Sequence, residues 1–243
     1  MSRIHNVAEL DLKLAHRSWG FAEERADEIL AFWQRRQAAQ PSLFDGRILL
    51  MGSHDFVART DGARVLRGEY FETDYKNFLA WRDLGFPGEA VCNGFSMAAL
   101  QSSDGAYLLG EMAHHTANGG LIYFAAGTPD PSDVFEGRVD LRASIVRELQ
   151  EETGLTPREV SFAEDWIVVE APPRIACLKP VTVPLNAETL KAKIEAYLAS
   201  ETMPELTRMH IARSTADIDD KRMPQFIVDF LRYAFAAPQR SVG

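Results

Sequence analysis

The chain has 243 residues, of which 46% are hydrophobic and 25% charged, as in a folded protein of one large domain or two unequal ones. Its formal net charge of -9 argues against a general nucleic-acid binder, because phosphate contacts need clustered Lys and Arg. An anionic ligand would need local help from a metal and a few basic side chains.

Along the chain, residues 21–38 (FAEERADEILAFWQRRQA) predict an amphipathic helix with Ile29, Leu30, Phe32 and Trp33 turned inward. RILLMGSHDF and ARVLRGEYF flank Thr60-Asp61-Gly62 and predict a hairpin. DYKNFLAWRDLGFPG predicts a second helix stopped by Gly-Phe-Pro-Gly, which sets a domain boundary near residue 88. VCNGFSMAALQSSDGAYLLGEM predicts another hairpin about Asp104-Gly105, and LIYFAAG a short buried strand. VSFAEDWIVVEA, RIACLKPVTV and ELTRMHIA predict strands, while ETLKAKIEAYLAS and MPQFIVDFLRYAFA predict helices. The expected class is α/β. No internal repeat or low-complexity tract interrupts it.

Cys92 and Cys177 are the two cysteines, too few for a disulfide scaffold or a cysteine zinc site. The opening MSRIHNVAELDLKL has no apolar signal core and no run approaches membrane-spanning length, so the expectation is a cytoplasmic protein with no membrane partner.

Residues 147–155 read RELQEETGL. Glu148, Glu151 and Glu152 fall at i, i+3 and i+4, on one side of a helix. Like charges at that spacing oppose helix formation by about 0.2–0.5 kcal/mol per pair, and the last turns of a helix prefer cations. Such a cluster needs a counterion, and hard oxygen donors suit magnesium, manganese or calcium. A solvated acidic face is the ordinary alternative. The flanks weigh against it: Leu141, Ile145, Leu149 and Leu155 form an apolar stripe, Asp140 is the expected N-cap and Gly154 the stop.

RELQEETGL resembles the REUxEExGU core of the Nudix hydrolases at every fixed position, with Leu149 and Leu155 as the aliphatic residues. The preceding Phe124-Ala125-Ala126-Gly127 resembles the family's strand end and glycine turn. Two departures accompany the match. Gly127 stands twenty residues before Arg147, farther than the family spacing, because TPDPSDVFEG is inserted. The family's glutamate eight residues before the arginine is Val139 here, and Asp140 and Glu136 are the nearby candidates to replace it.

The resemblance implies a Nudix α/β/α sandwich over residues 89–243, preceded by a small α+β extension over residues 1–88. It also implies hydrolysis of a diphosphate with Mg2+ or Mn2+ and no further cofactor. In that reading Glu148, Glu151 and Glu152, with the carbonyl of Ala126 or Gly127, hold the metal. Arg147 orients the carboxylates, foremost Glu151, and Glu205 rather than Glu201 is the candidate general base. FWQRRQAAQPSLFDGR and the following DYKNFLAWRD resemble the extension of a UDP-sugar diphosphatase branch. A UDP-hexose is therefore the expected substrate, with Asp130, Asp133 and Glu136 of the inserted loop accepting from sugar hydroxyls. Family members are often dimers, so a homodimer is a candidate assembly, which the residues themselves do not decide.

Alternatives stay open at this level. A Nudix-fold sensor would bind a nucleotide without cleaving it, although all three box glutamates are present. The same chemistry also serves dinucleotides, coenzyme A and triphosphates. Other residues rank lower. His114-His115 lack i, i+4 ligand spacing and are expected on a strand, one packed and one solvated. Ser102-Ser103 carry no triad signature. Trp33, Trp81 and Trp166 are read as core before base-stacking platforms.

Overall fold

The computed structural model describes residues 2–88 and 91–236. Glu89 and Ala90, at the expected boundary, and the last residues, 237–243, lie outside the described residues. The strands are β1 (Arg3–Val7), β2 (Glu9–Leu14), β3 (Arg47–Ala58), β4 (Arg64–Asp74), β5 (Asn93–Gln101), β6 (Tyr107–Met112) and β7 (Ile122–Tyr123). They continue with β8 (Ala126–Gly127), β9 (Val134–Phe135), β10 (Arg138–Val139), β11 (Ser161–Phe162), β12 (Trp166–Ala171), β13 (Arg174–Thr182) and β14 (Leu206–Ala212). The helices are α1 (Gly20–Glu24), α2 (Ala26–Ala39), α3 (Tyr75–Asp83), α4 (Leu141–Thr153), α5 (Ala187–Leu198) and α6 (Gln225–Ala236).

The fold is mixed α/β, as expected. A larger sheet runs β1-β12-β13-β5-β6-β14, and off this path β11 pairs with β13, β7 with β6 and β8 with β5. β13 and β5 pair in parallel, and its other pairings are antiparallel. Every interior position of β5 is buried, as in a strand covered on both faces. α4 and α5 pack on each other and on this sheet, and α6 packs against β12. Phe226 and Phe230 of α6 meet Phe95, Tyr107 and Phe124 edge-on.

The smaller sheet runs β3-β4-β2-β10-β9. Its apolar run in β3 serves two cores at once. Leu49 and Met51 join the main core, whereas Ile48 and Leu50 join an aromatic cluster with Trp19, Trp33, Phe71, Phe78 and Trp81. Period-two alternation within an unbroken hydrophobic run produces this sandwiching.

Four sequence expectations change. The helix expected over residues 21–38 breaks at Arg25, giving α1 and α2. Ile29 and Trp33 share its buried face, while Leu30, one step round the helix, is 50% exposed. The opening residues, in which no strand was expected, form β1 in the larger sheet and β2 in the smaller one. His114 and His115 lie in a turn after β6, not on a strand.

The inserted loop is ordered through its own hydrogen bonds. Asp130 caps a short 3-10 turn at Pro131–Asp133. Glu136 (φ 49°) and Gly137 (φ 74°) then make a tight turn between β9 and β10. That hairpin docks on the smaller sheet, with Arg138 opposite Lys13 and the Leu14 amide donating to the Gly137 carbonyl at 2.9 Å. The Leu49 amide likewise donates to the Pro129 carbonyl at 2.7 Å. The loop thereby ties α4 to the N-terminal strands.

Candidate functional site

α4 begins and ends as its sequence dictates. Asp140 accepts from the amides of Arg142 (2.9 Å) and Ala143 (3.0 Å), and Gly154 closes the helix at φ 71°. Leu141, Ile145 and Leu149 are buried, which fixes the rotation of the helix and carries Glu152 inward. Glu148 and Glu152, one turn apart, line a cavity of about 610 Å3 together with Ala126, Gly127 and Glu205.

Gly127 is needed at its position because the backbone of β8 passes against Glu148. A Cβ there would sit 2.3 Å from Glu148 Oε1 and 2.5 Å from its Cδ. The pairing of Ser96 with Gly127 and Met97 with Ala126 holds β8 in that place.

Electrostatics at this point oppose the free carboxylates. Burial raises the Glu148 pKa to about 7, and Glu151 adds to the effect against the lowering influence of Arg147. Burial also raises the Glu152 pKa well above the usual carboxylate range, helped by the charges of Glu148 and Glu205, while the backbone of Ala126 works the other way. Glu152 is 4% exposed, and its Oε2 is buried with no hydrogen-bond partner. A buried carboxylate oxygen without a donor calls for a proton or a cation.

Two expectations for the box residues are corrected. Glu151 is exposed on the outer flank of α4, where it borders a separate surface depression with Gln150 and Arg147. It does not line the cavity because it lies about 60° round the helix from Glu148 and about 100° from Glu152. Arg147 does not pair with Glu151. It donates to both oxygens of Asp133, at 2.6 and 3.2 Å, and to Glu148 Oε1 at 3.2 Å. Asp133 is thus the principal partner of Arg147, and neither Asp140 nor Glu136, the candidates to replace the family glutamate, pairs with it. Asp140 instead caps α4, Glu136 sits in the exposed turn, and Val139 is core.

Glu205 is exposed at the cavity rim, immediately before β14, its carbonyl accepting from the Ala113 amide at 2.7 Å. Glu201 is exposed beyond the end of α5. Among the described residues no group of three or more His, Cys, Asp and Glu side chains is gathered as a ready metal cage. The structure brings together two carboxylates, one of them with an orphaned oxygen, beside a close-packed backbone turn. These hard oxygen donors fit a divalent cation whose remaining positions go to water and substrate oxygens, the way magnesium is commonly held.

The far walls of the cavity were not legible as site residues. Tyr75, Phe78 and Arg82 come from α3, Phe86 from the turn after it, Asn93 and Phe95 from β5 and Arg174 from β13. Residues of the N-terminal extension therefore face the same cavity as the box carboxylates. The sequence signal for them was the helix DYKNFLAWRD itself, whose one face carries aromatic residues. Trp33 and Trp81 are packed in the aromatic core, and Trp166 lies under the Lys179 ammonium, 4.5 Å from its ring. Ser102 is buried and holds the turn to Ala106 through hydrogen bonds with Asp104 and the Ala106 backbone.

No protein-family model matches the chain, and no curated protein matches it. Solved structures do. A Nudix hydrolase from M. smegmatis, RenU, aligns at 15% identity over 75% of this chain and 94% of its own, with a TM-score of 0.36. The MutT protein from Methanosarcina mazei Go1 aligns at 16% identity over 58% of this chain and 91% of its own, TM-score 0.36. A NUDIX-family hydrolase from Clostridium perfringens aligns at 14% identity over 59% and 96%, TM-score 0.36. At that level the similarity decides neither chemistry nor substrate.

Proposed function

We propose that the chain is a divalent-cation-dependent Nudix hydrolase cleaving the diphosphate of a nucleoside diphosphate derivative, and that its substrate is a UDP-sugar, released as UMP and a sugar 1-phosphate. The observation that carries this reading is the buried pair Glu148 and Glu152 at the β8 turn, with Glu152 Oε2 unpartnered. Glu148 and Glu152, with a carbonyl of Ala126 or Gly127, would hold magnesium or manganese. When bound, that ion neutralises diphosphate oxygens and makes a coordinated water more acidic. Arg147, anchored on Asp133, keeps Glu148 turned to the cavity. Glu205 at the rim takes the proton of the attacking water, whose oxygen bonds to one phosphorus as the bridging oxygen leaves with the other.

The substrate assignment draws on the walls. A cavity of about 610 Å3 lined by Tyr75, Phe78, Phe95 and Phe226 suits a flat base and a hexose beyond the diphosphate. Asp133 no longer belongs among the sugar-binding candidates, because Arg147 uses both of its oxygens. The two cysteines, free and buried, suit a reducing cytoplasmic setting.

A panel of UDP-glucose, UDP-galactose, ADP-ribose, a dinucleotide and a triphosphate, assayed with magnesium and with chelator, tests the reading. The two UDP-hexoses should turn over fastest, and chelator should stop them. Equal or faster turnover of ADP-ribose or the triphosphate would overturn the substrate; activity in excess chelator would overturn the metal dependence.

A further inference from the structure

Arg174 begins β13 opposite Asn93 of β5, at the end of the cavity built partly by the N-terminal extension. Its guanidinium stacks 4.8 Å from the centroid of Phe86. Among the described residues no carboxylate lies within ion-pair distance of it. Arg82, beside it on the cavity wall, donates to Asn118 Oδ1 at 3.2 Å and to Asp83 Oδ1 at 3.0 Å. Asp83 also serves Arg36, whose Nε is 4.0 Å away, buried and without a hydrogen-bond partner. Arg82 and Arg36 therefore share one carboxylate, and Arg174 has none among the described residues.

That excess of positive charge is costly where water is partly excluded. Burial lowers the Arg174 pKa, and the Arg82 charge lowers it further, so the cation lacks compensation in the protein itself. An otherwise acidic chain has placed a cation with no carboxylate partner among the described residues, Arg174, in the same cavity as its buried carboxylates. The platform under Arg174 is also held firmly. Phe86 adopts a left-handed backbone (φ 61°), uncommon for a bulky residue, fixed by its amide on the Trp81 carbonyl at 2.8 Å and its ring edge-on to Trp81 at 4.7 Å.

We propose that Arg174, aided by Arg82 and seated on Phe86, binds the phosphate of the nucleotide half of the substrate; this rests on reading the cavity as a nucleoside-diphosphate site. A planar guanidinium stacked on a ring presents its donors edgewise, the geometry that grips two phosphate oxygens at once. The nucleotide half is favoured over the sugar half because Tyr75 and Phe78 stand on the same helix as Arg82 and offer a base its apolar wall. The extension then selects substrate through α3 and the turn after it.

Calorimetric titration of UMP, uridine and glucose 1-phosphate in magnesium buffer, into wild type, Arg174→Gln, Arg174→Lys and Phe86→Leu, tests this without hydrolysis. Arg174→Gln should weaken UMP about tenfold or more, the usual effect of losing a charged hydrogen bond, and leave uridine within about twofold. Arg174→Lys should recover part of the loss, and Phe86→Leu should weaken UMP even if the glutamine variant folds poorly. In steady state the KM for UDP-glucose should rise with kcat nearly unchanged. UMP affinity preserved in both Arg174→Gln and Phe86→Leu, or a loss confined to glucose 1-phosphate, overturns the subsite. UMP binding that depends on Arg174, in a protein that hydrolyses no diphosphate, overturns the proposed activity and leaves the subsite standing.

Discussion

Arg147 grips Asp133 with two hydrogen bonds, Nη1 to Oδ1 at 2.6 Å and Nη2 to Oδ2 at 3.2 Å, although the two residues belong to different elements. Asp133 is fully buried and also accepts from the Asp130 amide at 3.0 Å. The same guanidinium reaches Glu148, so the inserted loop sets the orientation of a cavity carboxylate through one arginine. Asp133→Asn keeps the shape and removes the charge. It should lower activity about 10–100-fold, the usual cost of disturbing a group that orients a metal ligand, with little loss of fold. Asp133→Ala should add a stability loss of about 1–3 kcal/mol, since it strips partners from Arg147 and the loop amide. Steady-state kinetics with urea unfolding of both variants separates the two effects; wild-type kcat in Asp133→Asn would remove the loop from the catalytic account.

Gly127→Ala probes the other side of the same carboxylate. The added Cβ would meet the flexible end of Glu148 at 2.3 Å, so the side chain can swing aside while the fold stays intact. The expected outcome is a melting temperature close to wild type with activity reduced about 100-fold, as a displacement near 1 Å at a reacting site can cost. A variant that melts early and retains its specific activity would show that the close approach serves packing alone.

The contrast between these two residues shows what could be read from the sequence. The helix, its caps and the inward face of Glu148 and Glu152 follow from local rules, because periodicity and capping are written in consecutive residues. Gly127 was legible as a turn. Its pressure on Glu148 was not, since that depends on the β5–β8 register. The sequence offers Asp133 as a sugar-hydroxyl acceptor or a turn residue, and its pairing with Arg147 arises from a hairpin that docks on β2, a strand with no clear sequence signal. Arg174 is an unremarked strand residue until the parallel pairing of β13 and β5 and the turn at Phe86 bring it to the cavity. Local signals gave the elements, and long-range pairing decided which side chains meet.

The extension is also joined to the larger sheet in ways a residue count hides. β1 pairs with β12 along its whole length, and Leu49, Met51 and Tyr70 belong to the main core. Deleting residues 1–88 would remove a sheet strand as well as the cavity wall, so point variants in α3 are the cleaner test of substrate selection.

A separate charge cluster sets a stability prediction. Glu111 of β6 accepts from Arg208 (2.8 Å), His210 (2.8 Å) and Arg222 (3.1 Å), and Arg208 foremost holds its pKa down to about 2. A carboxylate depressed on folding stabilises the protein above its unfolded pKa and loses that contribution as the pH falls toward the folded value. Glu111→Gln should cost about 1–3 kcal/mol at pH 7, as expected for lost charged hydrogen bonds. Urea unfolding at pH 6, 4 and 3 should show the gap between wild type and variant closing with acidification. A gap that stays constant with pH would mean that shape, and not charge, holds β6 to β14.

The carboxylates of the cavity should behave with the opposite sign. Glu148 ionises near 4.5 in an unfolded chain but at about 7 in the fold, because burial penalises its charge. Between those values the folded state keeps a proton the unfolded state has released, so stability falls as the pH rises from about 4.5 to 7. One such group accounts for a loss on the order of 2–3 kcal/mol over that window. Glu152 is raised by burial as well and acts with the same sign. Metal-free protein should therefore melt at a higher temperature at pH 5.5 than at pH 8, and manganese or magnesium should recover the deficit at pH 8 by binding the folded state. Glu152→Gln takes away the buried charge and the cation's partner together. In chelator at pH 8 it should melt about 2–4 °C above wild type, with a shallower pH dependence, no response to manganese and almost no hydrolysis. A metal-free wild type whose melting temperature is flat from pH 5.5 to 8 would mean that Glu148 and Glu152 are not held as buried, uncompensated charges, and the cation would lose its physical reason for binding there.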